Sequence, residues 1–157
     1  MERPSCVQWL SRLCVVGMLA AAALALSACP HGKPKPVEIV LSEDSCNECR
    51  MAVSDKKFAA EIVTPEGHVD YFDDIGCLVV HARAKDIPVG SAVYVVDFND
   101  QRWLDGLTAQ YLWAKSLPTP MSYGLAAFAS KDAATLKSHD WPGRVLGWQA
   151  LLQDFQP

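Results

Sequence analysis

The chain has 157 residues, of which 50% are hydrophobic and 20% are charged. This composition is typical of a folded globular protein of one domain, or two very small ones, and excludes a disordered chain. The formal net charge of −4 argues against nucleic acid as the main partner, because phosphate binding requires a basic surface.

The N-terminal segment differs from the rest of the chain. Arg3 and Arg12 make its start positively charged, and residues 13–26 are almost entirely apolar. At about 1.5 Å per residue, a helix of this length cannot cross a bilayer core of about 30 Å. The segment is instead typical of the hydrophobic part of a secretory signal peptide.

The end of this segment predicts a lipid anchor. LSAC at residues 26–29 resembles the bacterial lipobox, in which the cysteine is lipidated and becomes the first mature residue. We therefore predict a lipoprotein signal peptide over residues 1–28 and lipid on Cys29, which would attach the protein to a membrane. An ordinary signal peptide that is cleaved nearby is the alternative.

A proline-rich segment follows the predicted anchor. Three prolines occur between residues 30 and 36, and such a segment favours an extended chain that reaches about 3 Å per residue. We predict that residues 29–43 form a lipidated tether, which holds a folded domain at residues 44–157 clear of the membrane.

The first half of the folded part predicts a hairpin followed by a helix. Apolar runs at residues 58–63 and 68–72 flank a PEG turn at residues 65–67 and indicate two strands. Asp73 or Asp74 then caps a helix. The apolar stripe of this helix consists of Ile75, Leu78, Val79 and Ala82.

The second half predicts a comparable succession of elements. Strands are expected at residues 92–98 and 102–104, and the apolar positions Leu107, Tyr111 and Leu112 predict a helix over residues 107–116. The remaining predicted elements are a strand at residues 123–130, a helix at 131–140 capped by Ser130, a strand at 143–147 and a terminal helix at 148–155.

Residues 64–85 and 98–115 suggest a weak β-β-α duplication. Each half is near the size at which a separate core is marginal, so the halves are expected to pack on each other. The predicted fold class is α+β, with two small similar lobes at about residues 44–90 and 91–157. In each lobe an antiparallel hairpin packs against a helix.

Three cysteines remain outside the predicted signal peptide and anchor, namely Cys46, Cys49 and Cys77. An odd number cannot all pair, which argues against a disulfide framework even in an oxidising compartment. The spacing Cys46-x-x-Cys49 lets two sulfurs converge on one ion within a turn. Because thiolate and thioether sulfurs are soft ligands, such a site favours Cu(I) over hard ions.

Two methionines add soft donors. Met51 lies one strand repeat beyond Cys49, so in extended geometry its sulfur is on the same side as the second thiol. Met121 lies in LPTPMSYG, residues 117–124, where prolines and a glycine predict a loop. Cys46, Cys49, Met51 and Met121 are therefore candidate Cu(I) ligands, although two ordinary half-buried methionines would give the same pattern.

Three other residues also carry donor atoms that suit a metal. His68 lies in a predicted strand beside Asp70 and is a fifth, weaker candidate ligand. Cys77 and His81 are four residues apart on one helical face, a spacing that fits a ligand pair. We favour the interpretation that both are core or rim residues of the first helix, because free cysteine is often simply buried.

The cysteine pair leaves other chemistries open. A thioredoxin-type motif lies at a helix N-terminus in a βαβ unit, whereas this pair precedes the first predicted strand. Structural zinc requires four Cys or His ligands, and no second paired spacing supplies them. A Cys46–Cys49 disulfide is compatible with metal binding as an inactive form. We therefore expect a metal carrier and not an enzyme, with a periplasmic thiol-disulfide oxidoreductase as the alternative.

Several motifs together resemble the NosL family, the nitrous oxide reductase accessory lipoproteins. They are the lipobox, the proline-rich segment, the C-x-x-C-x-M motif, YFDDIGC at residues 71–77 and the closing PM-x-YG-x-x-AFAS…GRVLGW stretch. The similarity extends from Cys46 to about Leu152. It implies a fold of two similar ββαβ lobes.

The resemblance also implies a function and a location. It implies a copper chaperone in the bacterial cell envelope, anchored by lipid and facing the periplasm, with the outer membrane as the expected membrane. Such a protein binds Cu(I) and delivers it toward the copper centres of nitrous oxide reductase, together with a membrane transporter assembly.

The family's site residues can be placed by position. The motif cysteines correspond to Cys46 and Cys49, the motif methionine to Met51 and the late methionine to Met121. The family commonly has glycine between the second cysteine and the methionine, where this chain has Arg50.

Overall fold

The structure is a computed structural model and describes residues 32–157. The predicted signal peptide over residues 1–28 and the predicted lipidation site Cys29 lie outside the described residues. Within the described part, no helix is long and apolar enough to cross a membrane. Lys33–Pro157 forms one compact unit.

Two similar groups of elements follow one another along the chain. The first begins after a short 3-10 turn and consists of β1 (Ala60–Val63), β2 (Val69–Phe72), α1 (Ile75–Ala84), β3 (Ala92–Val96) and β4 (Trp103–Asp105). The second consists of β5 (Gln110–Trp113), β6 (Leu125–Phe128), α2 (Lys131–Lys137), β7 (Arg144–Gly147) and α3 (Trp148–Asp154).

Each group is built around one central strand. The strand order is β2-β1-β3-β4 in the first sheet and β6-β5-β7 in the second, and every named pair is antiparallel. β1 and β5 each pair with the next strand and with the strand after the following helix. This ββαβ arrangement occurs twice and confirms the predicted α+β fold of two similar lobes.

The helices begin where the capping residues predict. The Asp74 carboxylate accepts a hydrogen bond from the backbone N–H of Gly76 at the start of α1, and the Ser130 hydroxyl accepts one from Ala133 at the start of α2. Such caps satisfy N–H groups that have no partner inside the helix. The apolar face of α1 joins a core that both lobes share, formed among others by Phe72, Leu78, Val95, Tyr111 and Leu151.

The helix predicted over residues 107–116 is wrong, because this segment contains the central strand β5. The Asp105 carboxylate accepts a hydrogen bond from the backbone N–H of Leu107 and turns the chain into the strand. Tyr111 and Leu112 then pack into two different core clusters on opposite sides of the sheet. A strand that is buried on both faces has neighbouring apolar residues, and this pattern resembles part of a helical stripe.

The tether predicted over residues 29–43 lies against the first sheet from Lys33 onward. The Tyr94 hydroxyl donates a hydrogen bond to the carbonyl oxygen of Pro34 at 2.5 Å, and the backbone N–H of Val37 donates to the Glu61 carboxylate at 2.8 Å. The side chain of Ile39 is buried. We call residues 33–39 the strap. The folded part therefore begins before residue 44, because strand side chains bind the strap's backbone.

The boundary between the two sheets also differs from the predicted boundary between the sublobes, which lies between residues 90 and 91. β3 and β4 pair within the first sheet, so the sheets separate between Asp105 and Gln110. The duplicated unit runs from β1 to β3 and again from β5 to β7. These units do not coincide with residues 64–85 and 98–115, the two segments whose similarity predicts the duplication.

Candidate metal centre

The cysteine pair lies in a closed loop ahead of β1. Ser45 and Ala52 form an isolated antiparallel bridge at its base, and the backbone N–H of Cys46 donates to the carbonyl oxygen of Met51 at 2.8 Å. Within the loop, the backbone N–H of Cys49 donates a hydrogen bond to the Cys46 sulfur, with 3.5 Å between nitrogen and sulfur. The loop therefore brings the two motif cysteines together, as the spacing predicted.

Arg50 completes this loop in an unusual backbone conformation. Its φ is 66°, in the left-handed region that costs an L-residue about 1–2 kcal/mol and that glycine adopts freely. Its N–H donates to the carbonyl oxygen of Cys46 at 3.0 Å, so the conformation closes the turn. The positive φ is a physical reason for the glycine that, by the resemblance described above, is common at this position.

The loop is attached to both β2 and α1. The backbone N–H of Asn47 donates to the carbonyl oxygen of Tyr71 at 2.7 Å, and its side-chain amide donates to the Asp70 carboxylate. Nδ1 of His81 lies 3.3 Å from the Glu48 carboxylate. These contacts fix the loop against the element that carries the third cysteine.

Cys77 lies in the first turn of α1 and is fully buried. Its sulfur and those of Cys46 and Cys49 all lie within 4.8 Å of one another, and no disulfide joins them. The interpretation of Cys77 as a core residue is thus incomplete, because the buried thiol also belongs to the cluster. The sequence signal that could have found it was the odd number of cysteines outside the predicted signal peptide and anchor.

The three thiols share hydrogen bonds. The hydrogen bond from Cys77 lowers the pKa of the Cys46 thiol, and the backbone N–H of Cys49 lowers it further. The same hydrogen bond raises the pKa of Cys77, and burial raises the pKa of Cys49. The cluster therefore favours one thiolate stabilised by a neighbouring thiol, and thiolate is the form that binds metal.

The predicted methionines are placed differently from each other. Met51 is 58% exposed, although its backbone closes the cysteine loop. Met121 is partly buried against the core cluster that includes Cys46 and Cys77, and its backbone N–H donates to the Asp74 carboxylate at 3.1 Å. The structure thus brings the Met121 segment to the N-terminal end of α1.

Neither candidate histidine belongs to the sulfur cluster. Nε2 of His68 lies 3.2 Å from the Asp70 carboxylate, and the His68 side chain is largely exposed. The His81 ring is buried between Glu48 and an edge contact with Phe72. Among the described residues, the one group of Cys, His, Asp or Glu side chains with this mutual spacing is the set of three cysteines.

The arrangement of the cluster suits a soft ion. Three sulfurs at about 2.3 Å from a central ion, the distance typical of metal thiolates, would lie about 4 Å apart in a trigonal plane. A spacing within 4.8 Å therefore requires only small side-chain movements to close around a metal. Cys49 is partly exposed, which leaves a side of the cluster open to solvent.

Comparison with known proteins identifies the family and a protein of similar fold. A model of the NosL family matches residues 36–155. The fold resembles the crystal structure of the copper chaperone NosL from Shewanella denitrificans, with a TM-score of 0.63 and 19% identity, over 74% of this chain and 95% of that chain. No curated protein matches. Because the family model covers most of the chain, this protein belongs to the NosL family.

Proposed function

We propose that this protein is a Cu(I) carrier that binds the ion through Cys46, Cys49 and Cys77. The observation that carries the proposal is the convergence of three thiols within 4.8 Å. Soft thiolate ligands favour Cu(I), and the structural relative from Shewanella denitrificans is named a copper chaperone. Met121 and Met51 are proposed as additional thioether ligands.

The proposal includes a destination for the ion. As a member of the NosL family, the protein would deliver Cu(I) for maturation of the copper centres of nitrous oxide reductase, together with a membrane transporter assembly. The lipobox supports attachment through lipid on Cys29. We therefore propose a periplasm-facing position in the bacterial envelope, with the outer membrane as the expected membrane.

A carrier must release its ion, and the site has features that suit release. A thioether ligand carries no charge and is held less tightly than a thiolate, so an incoming ligand of the acceptor can replace it. Cys49 is partly exposed and Met51 is 58% exposed, so an acceptor can approach from this side. A closed site of four buried ligands, as in structural zinc centres, would lack such an approach.

The alternative function is a thiol-disulfide oxidoreductase. The lowered pKa of Cys46 favours it, because a low-pKa thiol is a better nucleophile at neutral pH. Against it, Cys46 is buried, and the pair lies in a loop and not at a helix N-terminus. Catalysis of disulfide exchange requires an accessible attacking sulfur.

Two assays on the reduced full-length lipoprotein in detergent separate these functions. Competition with a Cu(I) chelator should give one tightly bound Cu(I) per chain, with far weaker binding of Zn(II). The double variant Cys46→Ser/Cys49→Ser should lose the Cu(I) site. Insulin reduction should not exceed the background rate. Turnover of insulin without Cu(I) binding would reject the carrier and support the oxidoreductase.

A further inference from the structure

The loop at residues 117–124, which connects β5 to β6 in the second lobe, is bound to the first turn of α1 in the first lobe. Asp74 makes this connection and is fully buried. One of its carboxylate oxygens accepts the capping hydrogen bond from Gly76. The other accepts hydrogen bonds from the Thr119 hydroxyl at 2.6 Å and from the backbone N–H of Met121 at 3.1 Å.

A second contact fixes the same loop. A Cβ atom added to Gly76 would lie 2.1 Å from the ring of Tyr123, so this ring rests directly on the helix backbone beside Cys77. Only glycine permits such an approach. The loop is therefore held on α1 by hydrogen bonds at one end and by ring packing at the other.

The loop also has a defined internal shape. The Thr119 hydroxyl oxygen accepts a hydrogen bond from the backbone N–H of Gly124 at 3.2 Å. Ser122 and Gly124 have left-handed φ values of 60° and 69°, which turn the chain sharply on either side of Tyr123. Met121 thus has little freedom to move independently of Asp74.

We propose that Asp74 is a positioning residue that clamps the loop at residues 117–124 onto α1 and so holds Met121 at the thiol cluster. The metal site is then assembled across the two lobes, with Cys46, Cys49 and Cys77 from the first and one thioether from the second. This inference rests on the proposed function. It assigns to Asp74 a role beyond its cap of α1.

The substitution Asp74→Asn separates these two roles. An asparagine oxygen still accepts the capping hydrogen bond from Gly76, since asparagine is among the best N-cap residues. Its amide group is a donor and cannot accept from the N–H of Met121. Ser130→Ala is the matched control, because it removes the cap of α2 without changing the Met121 loop.

Competition titrations with a Cu(I) chelator test the proposal on the reduced full-length lipoprotein. We expect Asp74→Asn to weaken Cu(I) binding by about 10- to 100-fold, the range found for residues that orient metal ligands. Met121→Leu should weaken it by a similar factor, and the double variant should be no weaker than Met121→Leu. X-ray absorption should count one sulfur ligand fewer in both single variants, while Ser130→Ala binds as the wild type does.

Three results would overturn the clamp. The first two are wild-type Cu(I) affinity in Asp74→Asn and wild-type Cu(I) affinity in Met121→Leu. The third is a double variant whose fold-loss of Cu(I) affinity equals the product of the two single fold-losses, which would mean that the two residues act independently. If Asp74→Asn does not fold, Thr119→Val removes one hydrogen bond of the clamp and must give the same non-additive result with Met121→Leu. Failure of the wild type to bind Cu(I) would instead reject the proposed function.

Discussion

The backbone N–H of Val37 donates a hydrogen bond to the Glu61 carboxylate at 2.8 Å and so fixes the strap to the middle of the first sheet. Glu61 is fully buried in β1, and its second carboxylate oxygen has no partner in the described part of the chain. Burial raises the pKa of Glu61 to about 7, and the nearby charge of Glu38 adds to the effect.

This relationship predicts that the contribution of Glu61 to stability falls as the pH rises. The pKa of Glu61 is about 7 in the folded protein and 4.5 ordinarily. Between about pH 4.5 and 7, Glu61 is therefore protonated in the folded protein and ionised in the unfolded chain. The contribution of Glu61 to the free energy of unfolding is therefore largest below about pH 4.5 and falls as the pH rises through about 7, by at most about 3 kcal/mol.

Urea denaturation at several pH values checks this prediction. Glu61→Gln should remove this contribution, because the amide does not ionise, so the stability of the variant relative to the wild type should increase between about pH 5 and 8. Glu66→Gln is the matched control, since Glu66 is exposed in the turn between β1 and β2, and it should keep the wild-type slope. An equal slope in the wild type and Glu61→Gln would show that Glu61 does not titrate in this range.

The positive φ of Arg50 predicts a stabilising substitution. Arg50→Gly relieves the left-handed conformation, and we expect the free energy of unfolding to rise by about 0.5–1 kcal/mol after the entropy of the unfolded glycine is allowed for. Arg50→Ala is the control, because it removes the same charge and keeps the strain. Thermal unfolding in reducing buffer measures both variants, and equal effects would argue against backbone strain.

The thiol cluster predicts an order of effects on Cu(I) affinity. Cys77→Ser and Cys46→Ser should each weaken Cu(I) binding roughly 100-fold or more, because each removes a soft ligand. Loss of a residue that only orients a ligand costs about 10- to 100-fold, and loss of the ligand itself should cost at least as much. Met51→Leu should have the smallest effect among the sulfur variants, since Met51 is 58% exposed. Leucine nearly conserves volume and therefore packing.

His68→Gln is the control for this series. The His68 ring contacts Asp70 and lies outside the sulfur cluster, so the variant should bind Cu(I) as tightly as the wild type. Chelator competition under reducing conditions gives each affinity. Wild-type affinity in Cys77→Ser, with loss in Cys46→Ser, would restrict the site to the sequence motif.

The lipobox predicts a modified N-terminus. Mass spectrometry of the mature protein should find Cys29 as the first residue with several acyl chains, because a single chain gives only marginal membrane binding. Cys29→Ser should release the protein from the membrane fraction. A mature chain that begins at unmodified Pro30 or His31 would contradict the prediction.

Short-range features of this protein could be predicted from the sequence. Asp74 and Ser130 cap helices, and the PEG turn at residues 65–67 connects β1 to β2, because each depends on a residue and its nearest neighbours. The same is true of Cys46 and Cys49, whose spacing alone lets both sulfurs share one turn.

The prediction of a helix over residues 107–116 was wrong because this segment depends on long-range interactions. The state of this segment depends on β6 and β7, which pair with β5 from both sides. Their hydrogen bonds and the burial of Tyr111 outweigh the local preference. The strap is a similar case, because its prolines permit an extended chain, and long-range contacts with Glu61 and Tyr94 decide where that chain lies.

The third thiol shows the same division within the site. The sequence by itself determined that three cysteines follow the predicted anchor and that two of them form a C-x-x-C motif. It also determined that cysteine and methionine sulfurs, which are soft ligands, are the main candidate donors. Only the tertiary structure decided that Cys77 joins Cys46 and Cys49, because the loop and α1 meet through long-range contacts such as those of Asn47 with Tyr71. Packing between segments distant in sequence sets that distance, and no local spacing encodes it.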